Sequence, residues 1–267
     1  MPRRPAMVWL QFLEVAAGAL AFAYAALAFY AWRYSDGLIF LPPPPTYPDS
    51  RDILRIPAPD GGTLAARYLP FPDARATLIY FHGNAEDLGG VEPRLHLLRD
   101  RLHVSVLAWD YPGYGRSSGS VGEPATLRAA RAVLAYVNGP LGVPADRVVL
   151  YGRSLGGGPA VELATGGACR ALILESAFTS AFRVMTQVRL MPFDKFANLE
   201  KMPRVKCPVL VIQGTADRVI PFRHGQKLYA AAPQPKQRLW VEGADHNDVL
   251  ETAGEAYWQA LREFLTP

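Results

Sequence analysis

Residues 147–164 read RVVLYGRSLGGGPAVELA, and this stretch decides the fold. Val148 to Tyr151 are apolar and β-favouring, as in a buried parallel strand, whereas Leu155 to Ala164 suit a helix. Between them lies Gly152-Arg153-Ser154-Leu155-Gly156, a Gly-x-Ser-x-Gly motif. In a nucleophile elbow the serine occupies a tight strand-to-helix turn, where side chains in place of the glycines would collide with their surroundings. The order of strand, motif and helix therefore predicts an elbow that presents the Ser154 hydroxyl at a helix N-terminus.

Apolar strand patterns alternate with helical patterns along the rest of the chain. The predicted elements are a hairpin at 52–69, strands at 76–81, 104–109, 171–174, 209–213 and 238–241, and helices at 91–102, 124–137, 222–231 and 248–264. Strands alternating with helices imply right-handed crossovers and a mostly parallel sheet flanked by helices on both faces. The 267 residues, half of them hydrophobic, suit one such α/β domain with an added anchor.

The N-terminal segment has the pattern of a membrane helix. Val15 to Trp32 contains no charged residue and, as a helix, approaches the ~30 Å hydrocarbon core of a bilayer. We therefore predict a single-pass membrane anchor at residues 1–34, a proline-rich spacer at 35–50 and a globular domain at 51–267. The alternatives are a buried core helix and a signal peptide cleaved near Ala21-Phe22-Ala23, but the apolar run continues past that site.

Charge patterning bears on membrane orientation and on partners. Arg3 and Arg4 precede the apolar segment and Arg33 follows it, which favours an exported globular domain. The net charge is +4, and the basic residues are scattered rather than arranged in a stripe interleaved with aromatics. We therefore expect no nucleic-acid binding, and these patterns leave the oligomeric state open.

The two cysteines, Cys169 and Cys207, each lie at the start of a predicted strand. Their spacing is not that of a metal site, so we expect no metal. We predict two buried free thiols. A disulfide is the alternative if the two strands are neighbours and the domain is exported.

A serine hydroxyl needs a base to take its proton and a carboxylate to orient that base. Asp217 follows the predicted strand at 209–213, and His246 follows the last predicted strand. Because the carboxyl ends of parallel strands meet at one edge of a sheet, we expect Ser154, Asp217 and His246 to converge as nucleophile, acid and base. Glu175, directly after the preceding strand, is the alternative acid.

The remaining histidines and the carboxylates beside His246 have ordinary structural explanations. We interpret His82 as structural, His96 and His103 as surface or packing residues, His224 as a solvated residue that opens a helix, and Asp245 and Asp248 as capping or surface carboxylates.

Two backbone N–H groups are needed to bind the developing oxyanion. Leu155 follows the nucleophile directly, and Asn84 lies in the loop after the buried strand that ends at Phe81. We therefore predict that these two amides form the oxyanion hole. The loop Asp110 to Ser117 also leaves a strand end, and we interpret it as a fixed turn first and a pocket wall second.

Several of these motifs together resemble a known family. They are Phe40 to Pro43, Phe81 to Leu88, Asp110 to Ser117, Tyr151 to Pro159, Glu175 to Ser180 and Pro192 to Phe196. They look like α/β-hydrolases of the bud-emergence branch, which includes membrane-attached enzymes that remove palmitate from proteins. The resemblance covers roughly residues 38–265 and implies the α/β-hydrolase fold, the triad above and no cofactor. The animal depalmitoylases carry a cysteine-rich, lipidated N-terminus, whereas this chain has an apolar segment without cysteine.

The sequence therefore predicts a membrane-anchored serine hydrolase that cleaves carboxylic esters or acyl thioesters of a small or lipid-like substrate. The segment between Glu175 and Val209 is short, which predicts a small cap. Its apolar residues either line an acyl pocket, contact the bilayer or cover the sheet: Phe178, Phe182, Met185, Leu190, Met191 and Phe193. A serine peptidase and a non-catalytic binding module on the same fold are the alternatives.

Overall fold

A computed structural model describes residues 5–167, 169–186 and 188–266. The chain divides into two compact units, and the boundary between them in the sequence lies between Ile39 and Phe40. The first unit is helix α1, Pro5–Ile39, whose segment Trp9–Ile39 is long and apolar enough to cross a membrane. Signal sequences share that property. The helix ends inside the segment that the sequence predicts as spacer. Arg3 and Arg4, on which the predicted orientation depends, lie outside the described residues.

The second unit is built on one sheet, which over the described residues has eight strands in the order β1-β2-β4-β3-β5-β6-β7-β8. The strands are β1 Leu54–Pro57, β2 Thr63–Leu69, β3 Thr77–Phe81, β4 Ser105–Trp109, β5 Val148–Arg153, β6 Ala171–Glu175, β7 Val209–Gly214 and β8 Lys236–Val241. Strand β2 runs antiparallel to β1 and β4, and the remaining pairs are parallel. The predicted hairpin and the mostly parallel sheet are thus confirmed.

Helices cover both faces of this sheet. They are α2 Leu88–Leu102, α3 Glu123–Asn138, α4 Gly157–Thr165, α5 Ala181–Thr186, α6 Asn198–Lys201, α7 Arg223–Ala231, α8 Val249–Ala253 and α9 Glu255–Leu265. Helix α2 packs against α9, whereas α3 packs against α4. Every residue of β3 to β7 is buried, as expected for parallel strands covered on both faces.

One helix prediction was wrong. The segment 248–264, predicted as a single helix, forms α8 and α9 with Gly254 between them. Gly254 has φ +54°, a left-handed conformation that glycine adopts without steric cost, so the chain turns there and continues in a new direction. The cap is small, as predicted: α5, α6 and a 3₁₀ turn at Met202–Arg204 lie between β6 and β7.

The two cysteines lie at the end of the sheet where β6 and β7 begin. These strands are parallel neighbours, and the Sγ atoms of Cys169 and Cys207 are 2.9 Å apart. Both residues are free thiols; Cys207 is buried and Cys169 half-buried. Free thiols are what the sequence predicts, although the pair lies close enough to hydrogen-bond.

Candidate active site

The Gly-x-Ser-x-Gly motif forms the predicted turn. Strand β5 runs to Arg153, Ser154 has φ +50°, and a 3₁₀ turn at Ser154–Gly156 leads into α4. A left-handed conformation is strained for a serine, and such strain persists only where the surroundings fix it. The chain therefore reverses sharply at Ser154 and carries its hydroxyl out of the sheet.

The two glycines of the motif are required by close backbone approach. A Cβ on Gly156 would lie 2.1 Å from the carbonyl oxygen of Phe81, and a Cβ on Gly152 would lie 2.6 Å from that of Gly156. Neither backbone can yield without moving β3 or α4. The turn is thus possible only with glycine at both positions.

Ser154, His246 and Asp217 are brought together in one continuous hydrogen-bonded chain. His246 Nε2 lies 3.1 Å from Ser154 Oγ, and His246 Nδ1 lies 2.8 Å from Asp217 Oδ2. A carboxylate only accepts, so Nδ1 carries the imidazole proton and Nε2 is free to accept the serine proton. All three residues are buried.

Asp217 is itself held in place by three donors. Its Oδ1 accepts the backbone N–H groups of Val219 at 2.9 Å and Ile220 at 2.6 Å. Its Oδ2 accepts from Gln213 Nε2 at 2.8 Å, in addition to His246. The carboxylate is thereby fixed in orientation towards His246.

Glu175, the alternative acid, belongs to a different network. Its carboxylate contacts Arg94 Nη1 at 2.7 Å and Arg153 Nε at 3.3 Å, and accepts the hydroxyls of Tyr151 and Tyr257. Burial alone would raise the pKa of the Glu175 carboxyl, but these two cations and two hydroxyls outweigh it and hold that pKa at about 2. Of the two candidate acids, Asp217 is therefore the one that contacts His246.

Arg153, the residue before the serine, was missed by sequence reasoning. Its guanidinium is buried and contacts Glu86 Oε1 at 2.7 Å, Asn247 Oδ1 at 2.8 Å and the carbonyl oxygen of His246 at 3.3 Å. Its one signal in the sequence is a charge inside an otherwise apolar strand. Nothing in the sequence indicates which loops that charge reaches.

The two residues predicted for the oxyanion hole both lie close to Ser154, one next to it in the chain and one in the same cleft. Leu155 is in the 3₁₀ turn after the serine. Asn84 lines an open cleft of about 410 Å³, which we call the Ser154 cleft. Its lining residues are Gly83, Asn84, Ala85, Glu86, Arg153, Ser154, Val219, His246 and Asn247.

The prediction for His224 was wrong, because this residue is buried rather than solvated. Its Nδ1 accepts the backbone N–H of Thr179 at 3.2 Å, so the loop after β6 covers it. Burial, together with the charges of Arg223 and Lys227, lowers the pKa of the imidazole to about 4. His224 is therefore a neutral packing residue outside the hydrogen-bonded chain described above.

The other residues near the site have structural roles. The buried His82 stacks on Tyr111 with ring centroids 4.1 Å apart, and the Tyr111 hydroxyl donates to the His82 carbonyl oxygen at 2.5 Å. Asp245 accepts the backbone N–H of His246 at 2.8 Å and forms an ion pair with Arg218. These contacts fix the loops on which the site is built.

The apolar cap residues divide between core and surface. Phe178 is buried, and Phe182 packs edge-on against Phe193 with ring centroids 6.0 Å apart. Met185 is 84% exposed and Leu190 is 53% exposed. Met191 is half-buried.

Comparison with known proteins places the chain among hydrolases, although no family model matches it. It is 41% identical over 198 residues to the alpha/beta hydrolase domain-containing protein aho-3 of Caenorhabditis elegans, spanning 73% of this chain and 59% of that protein. It is 38% identical over 197 residues to the human alpha/beta hydrolase domain-containing protein 17B, spanning 73% of this chain and 68% of that protein.

Solved structures share the fold at low sequence identity. The esterase Pf2001 of Pyrococcus furiosus aligns with a TM-score of 0.68 at 19% identity, over 84% of this chain and 98% of the esterase. A puromycin-hydrolyzing peptidase of Mycobacterium tuberculosis aligns with a TM-score of 0.63 at 20% identity, over 79% of this chain and 38% of the peptidase. At such identities the likeness establishes the α/β-hydrolase fold.

Proposed function

Because the chain belongs to the family of alpha/beta hydrolase domain-containing proteins, we propose that it is a membrane-anchored serine hydrolase that cleaves carboxylic esters or acyl thioesters. The observation that carries the proposal is the chain from Asp217 through His246 to Ser154, with contacts of 2.8 and 3.1 Å. Each member has the partner that its role requires.

The reaction proceeds through an acyl-enzyme. Ser154 Oγ attacks the acyl carbon while His246 Nε2 takes the hydroxyl proton, and the Asp217 carboxylate stabilises the resulting imidazolium. The backbone N–H groups of Leu155 and Asn84 donate to the oxyanion. His246 then gives its proton to the departing alkoxide or thiolate. In the second half, His246 deprotonates a water that attacks the ester of Ser154, and it returns that proton to Ser154 Oγ as the carboxylic acid leaves.

Exposed apolar side chains in the Ser154 cleft and in the cap support an acyl substrate with hydrocarbon character. Val219 lines the Ser154 cleft and is 52% exposed. In the cap, Met185 and Leu190 are exposed as well. An acyl chain would cover such surface at a gain of roughly 25 cal/mol per Å². With α1 as a membrane anchor, a lipid-like ester or an acyl thioester held at the membrane is the substrate class, and the catalytic domain lies on the exported side.

The nucleophile is tested with a fluorophosphonate probe, which reacts covalently with activated serines. We expect the wild-type protein to be labelled and Ser154→Ala to lose labelling completely. Ser176→Ala is the matched control, because Ser176 is also buried, directly follows a strand and has a left-handed φ of +49°, yet its hydroxyl has no histidine partner among the described residues. We expect it to label like the wild type. Equal labelling of Ser154→Ala would remove the proposed nucleophile.

The bond that is cleaved is tested separately. Triad chemistry also acts on amides, and one fold neighbour is a peptidase. Parallel assays on acyl esters, acyl thioesters and amino-acid amides compare kcat/KM for the three leaving groups. We expect the ester or the thioester to exceed the amide. A preference for the amide would instead make this chain a peptidase, and labelling without turnover of any of them would favour a binding module.

A further inference from the structure

The segment that follows α1 lies across the edge of the candidate active site. We call residues 40–47 the strap; it contains the run Pro42 to Pro45. At its start, the buried Phe40 ring packs against Phe196 with centroids 5.9 Å apart. At its end, the buried Tyr47 donates its hydroxyl to Asp110. A proline run is stiff and extended, so a strap fixed at both ends holds its backbone donors in fixed positions.

The strap contacts the loop that carries Asn84. The Leu41 N–H donates to Asn84 Oδ1 at 2.9 Å. Further along, the Thr46 N–H donates to Asp87 Oδ2 at 2.7 Å, and the Thr46 hydroxyl donates to Asp87 Oδ1. We call residues 82–87 the oxyanion loop. The strap is therefore hydrogen-bonded to the oxyanion loop at two places, at Asn84 near the middle of the loop and at Asp87 at its end.

The oxyanion loop has a conformation that needs outside support. Ala85 has φ +55°, a left-handed conformation that costs an alanine about 1 kcal/mol or more. Within the loop, Glu86 accepts the Gly83 N–H at 2.6 Å. From outside, Asn84 Oδ1 accepts both the Leu41 N–H and the Tyr114 hydroxyl, the latter at 2.6 Å. The side chain of Asn84 thus fixes the backbone of the residue that is proposed to donate its N–H to the oxyanion.

We propose that the strap positions the oxyanion loop, so that the segment joining α1 to the sheet domain sets the rate of acyl transfer. The inference rests on the proposed function, in which the Asn84 N–H stabilises the oxyanion. The oxyanion exists only in the transition state and not in the bound substrate. Loss of a strap contact therefore lowers kcat and kcat/KM together and leaves KM unchanged.

The test is carried out in the full chain with a pair of variants at one position. Leu41→Pro removes the donor N–H and extends the proline run, whereas Leu41→Ala keeps the N–H and shortens the side chain. We expect Leu41→Pro to lower kcat roughly tenfold, the worth of one hydrogen bond of about 1.4 kcal/mol, with KM and the melting temperature unchanged. We expect Leu41→Ala to have wild-type kcat. Thr46→Val removes the hydroxyl that donates to Asp87 and keeps the Thr46 N–H and a similar side-chain shape, and it should also lower kcat severalfold.

A double-mutant cycle distinguishes positioning from a general loss of structure. Asn84→Ala keeps the backbone N–H of residue 84 and removes one of the two acceptors of the Leu41 N–H, the other being the Tyr114 hydroxyl at 3.0 Å, so Leu41→Pro should have a smaller effect in that background. An undiminished effect there, or wild-type kcat in both Leu41→Pro and Thr46→Val, overturns the proposal. If Leu41→Pro lowers the melting temperature, its kcat is not used, and the kcat of Thr46→Val alone tests the proposal. Failure of the proposed function is distinct, because the wild type would then not react with the fluorophosphonate probe.

Discussion

Arg153 connects two loops around the site with the end of β6, and its replacement is the most informative perturbation that the structure offers. The guanidinium is 5% exposed and contacts one carboxylate in the oxyanion loop, one at the end of β6, and two oxygens in the loop of His246. These partners are Glu86, Glu175, the His246 carbonyl and Asn247. Arg153 is thus a positioning residue that connects the proposed base to the oxyanion loop.

We expect Arg153→Met to lower the free energy of unfolding by about 3 kcal/mol. Removing one partner of a buried ion pair costs roughly 3–5 kcal/mol, because the remaining charge is left uncompensated. The lower end applies here, since Glu175 keeps Arg94 at 2.7 Å and two tyrosine hydroxyls, and the Glu86 side chain is 28% exposed. For a domain of this size the melting temperature should fall by about 6–12 °C.

The same substitution should lower kcat by roughly a hundredfold at temperatures where the variant is folded. Arg153 holds the His246 loop through one hydrogen bond to the His246 carbonyl oxygen and one to the Asn247 side chain. A misplacement of about 1 Å in a reacting group costs on the order of 10²-fold. Arg153→Lys keeps the positive charge but not the planar set of donors, so it should recover part of the stability and less of kcat.

The measurements are urea unfolding at neutral pH and kcat on an acyl ester below both melting temperatures. Arg131→Met is the matched control, because Arg131 forms an ion pair with Glu162 while its own side chain is 55% exposed. Its unfolding free energy should change by no more than about 0.5 kcal/mol. Wild-type stability and kcat in Arg153→Met would refute this reasoning. A loss of stability with unchanged kcat would assign Arg153 to the fold rather than to the site.

Two further predictions concern the Glu175 carboxyl and the pair of cysteines. The Glu175 carboxyl has its pKa held at about 2, below its usual 4.5. It therefore contributes stability that is complete above pH 4.5 and lost as pH falls through about 2. Urea unfolding should show Glu175→Gln losing about 3 kcal/mol less than the wild type over that range. Cys169 and Cys207, with Sγ atoms 2.9 Å apart, should form an intramolecular disulfide in oxidised glutathione, which is reduced to two thiols. Mass spectrometry should show the loss of two hydrogens, absent in Cys169→Ser. Two persistent free thiols would contradict this.

The tight turn at Ser154 could be located from the sequence because one short segment carries the whole signal. The elbow at Gly152 to Gly156 needs a strand, two glycines and a helix, all of them adjacent in the chain. Asp217 and His246 could be selected because each directly follows a strand of the parallel sheet, whose carboxyl ends share one edge. These predictions depend only on the order in which strands, turns and helices follow one another along the chain, and this order can be read from the sequence.

Sequence reasoning failed where a residue's environment comes from distant segments. His224 was predicted to be solvated from its place at the start of α7, but the loop at Thr179, far away in sequence, covers it. The break between α8 and α9 carried a local signal, since Gly254 interrupts the helical pattern. A glycine inside a helix costs only about 1 kcal/mol, so the sequence is also compatible with a continuous helix. The φ of +54° that breaks the helix at Gly254 therefore could not be predicted.

The choice between the two candidate acids follows from strand register rather than from the histidine. In a strand, residues two apart face the same side, so Tyr151 and Arg153 of β5 lie on one face of the sheet. Arg153 pairs directly with Glu175 in the neighbouring strand β6. The side chains of Tyr151 and Arg153 therefore both reach the Glu175 carboxylate, and these contacts occupy its oxygens. Asp217 follows β7, the next strand in the sheet, and its carboxylate is the one that contacts the His246 imidazole.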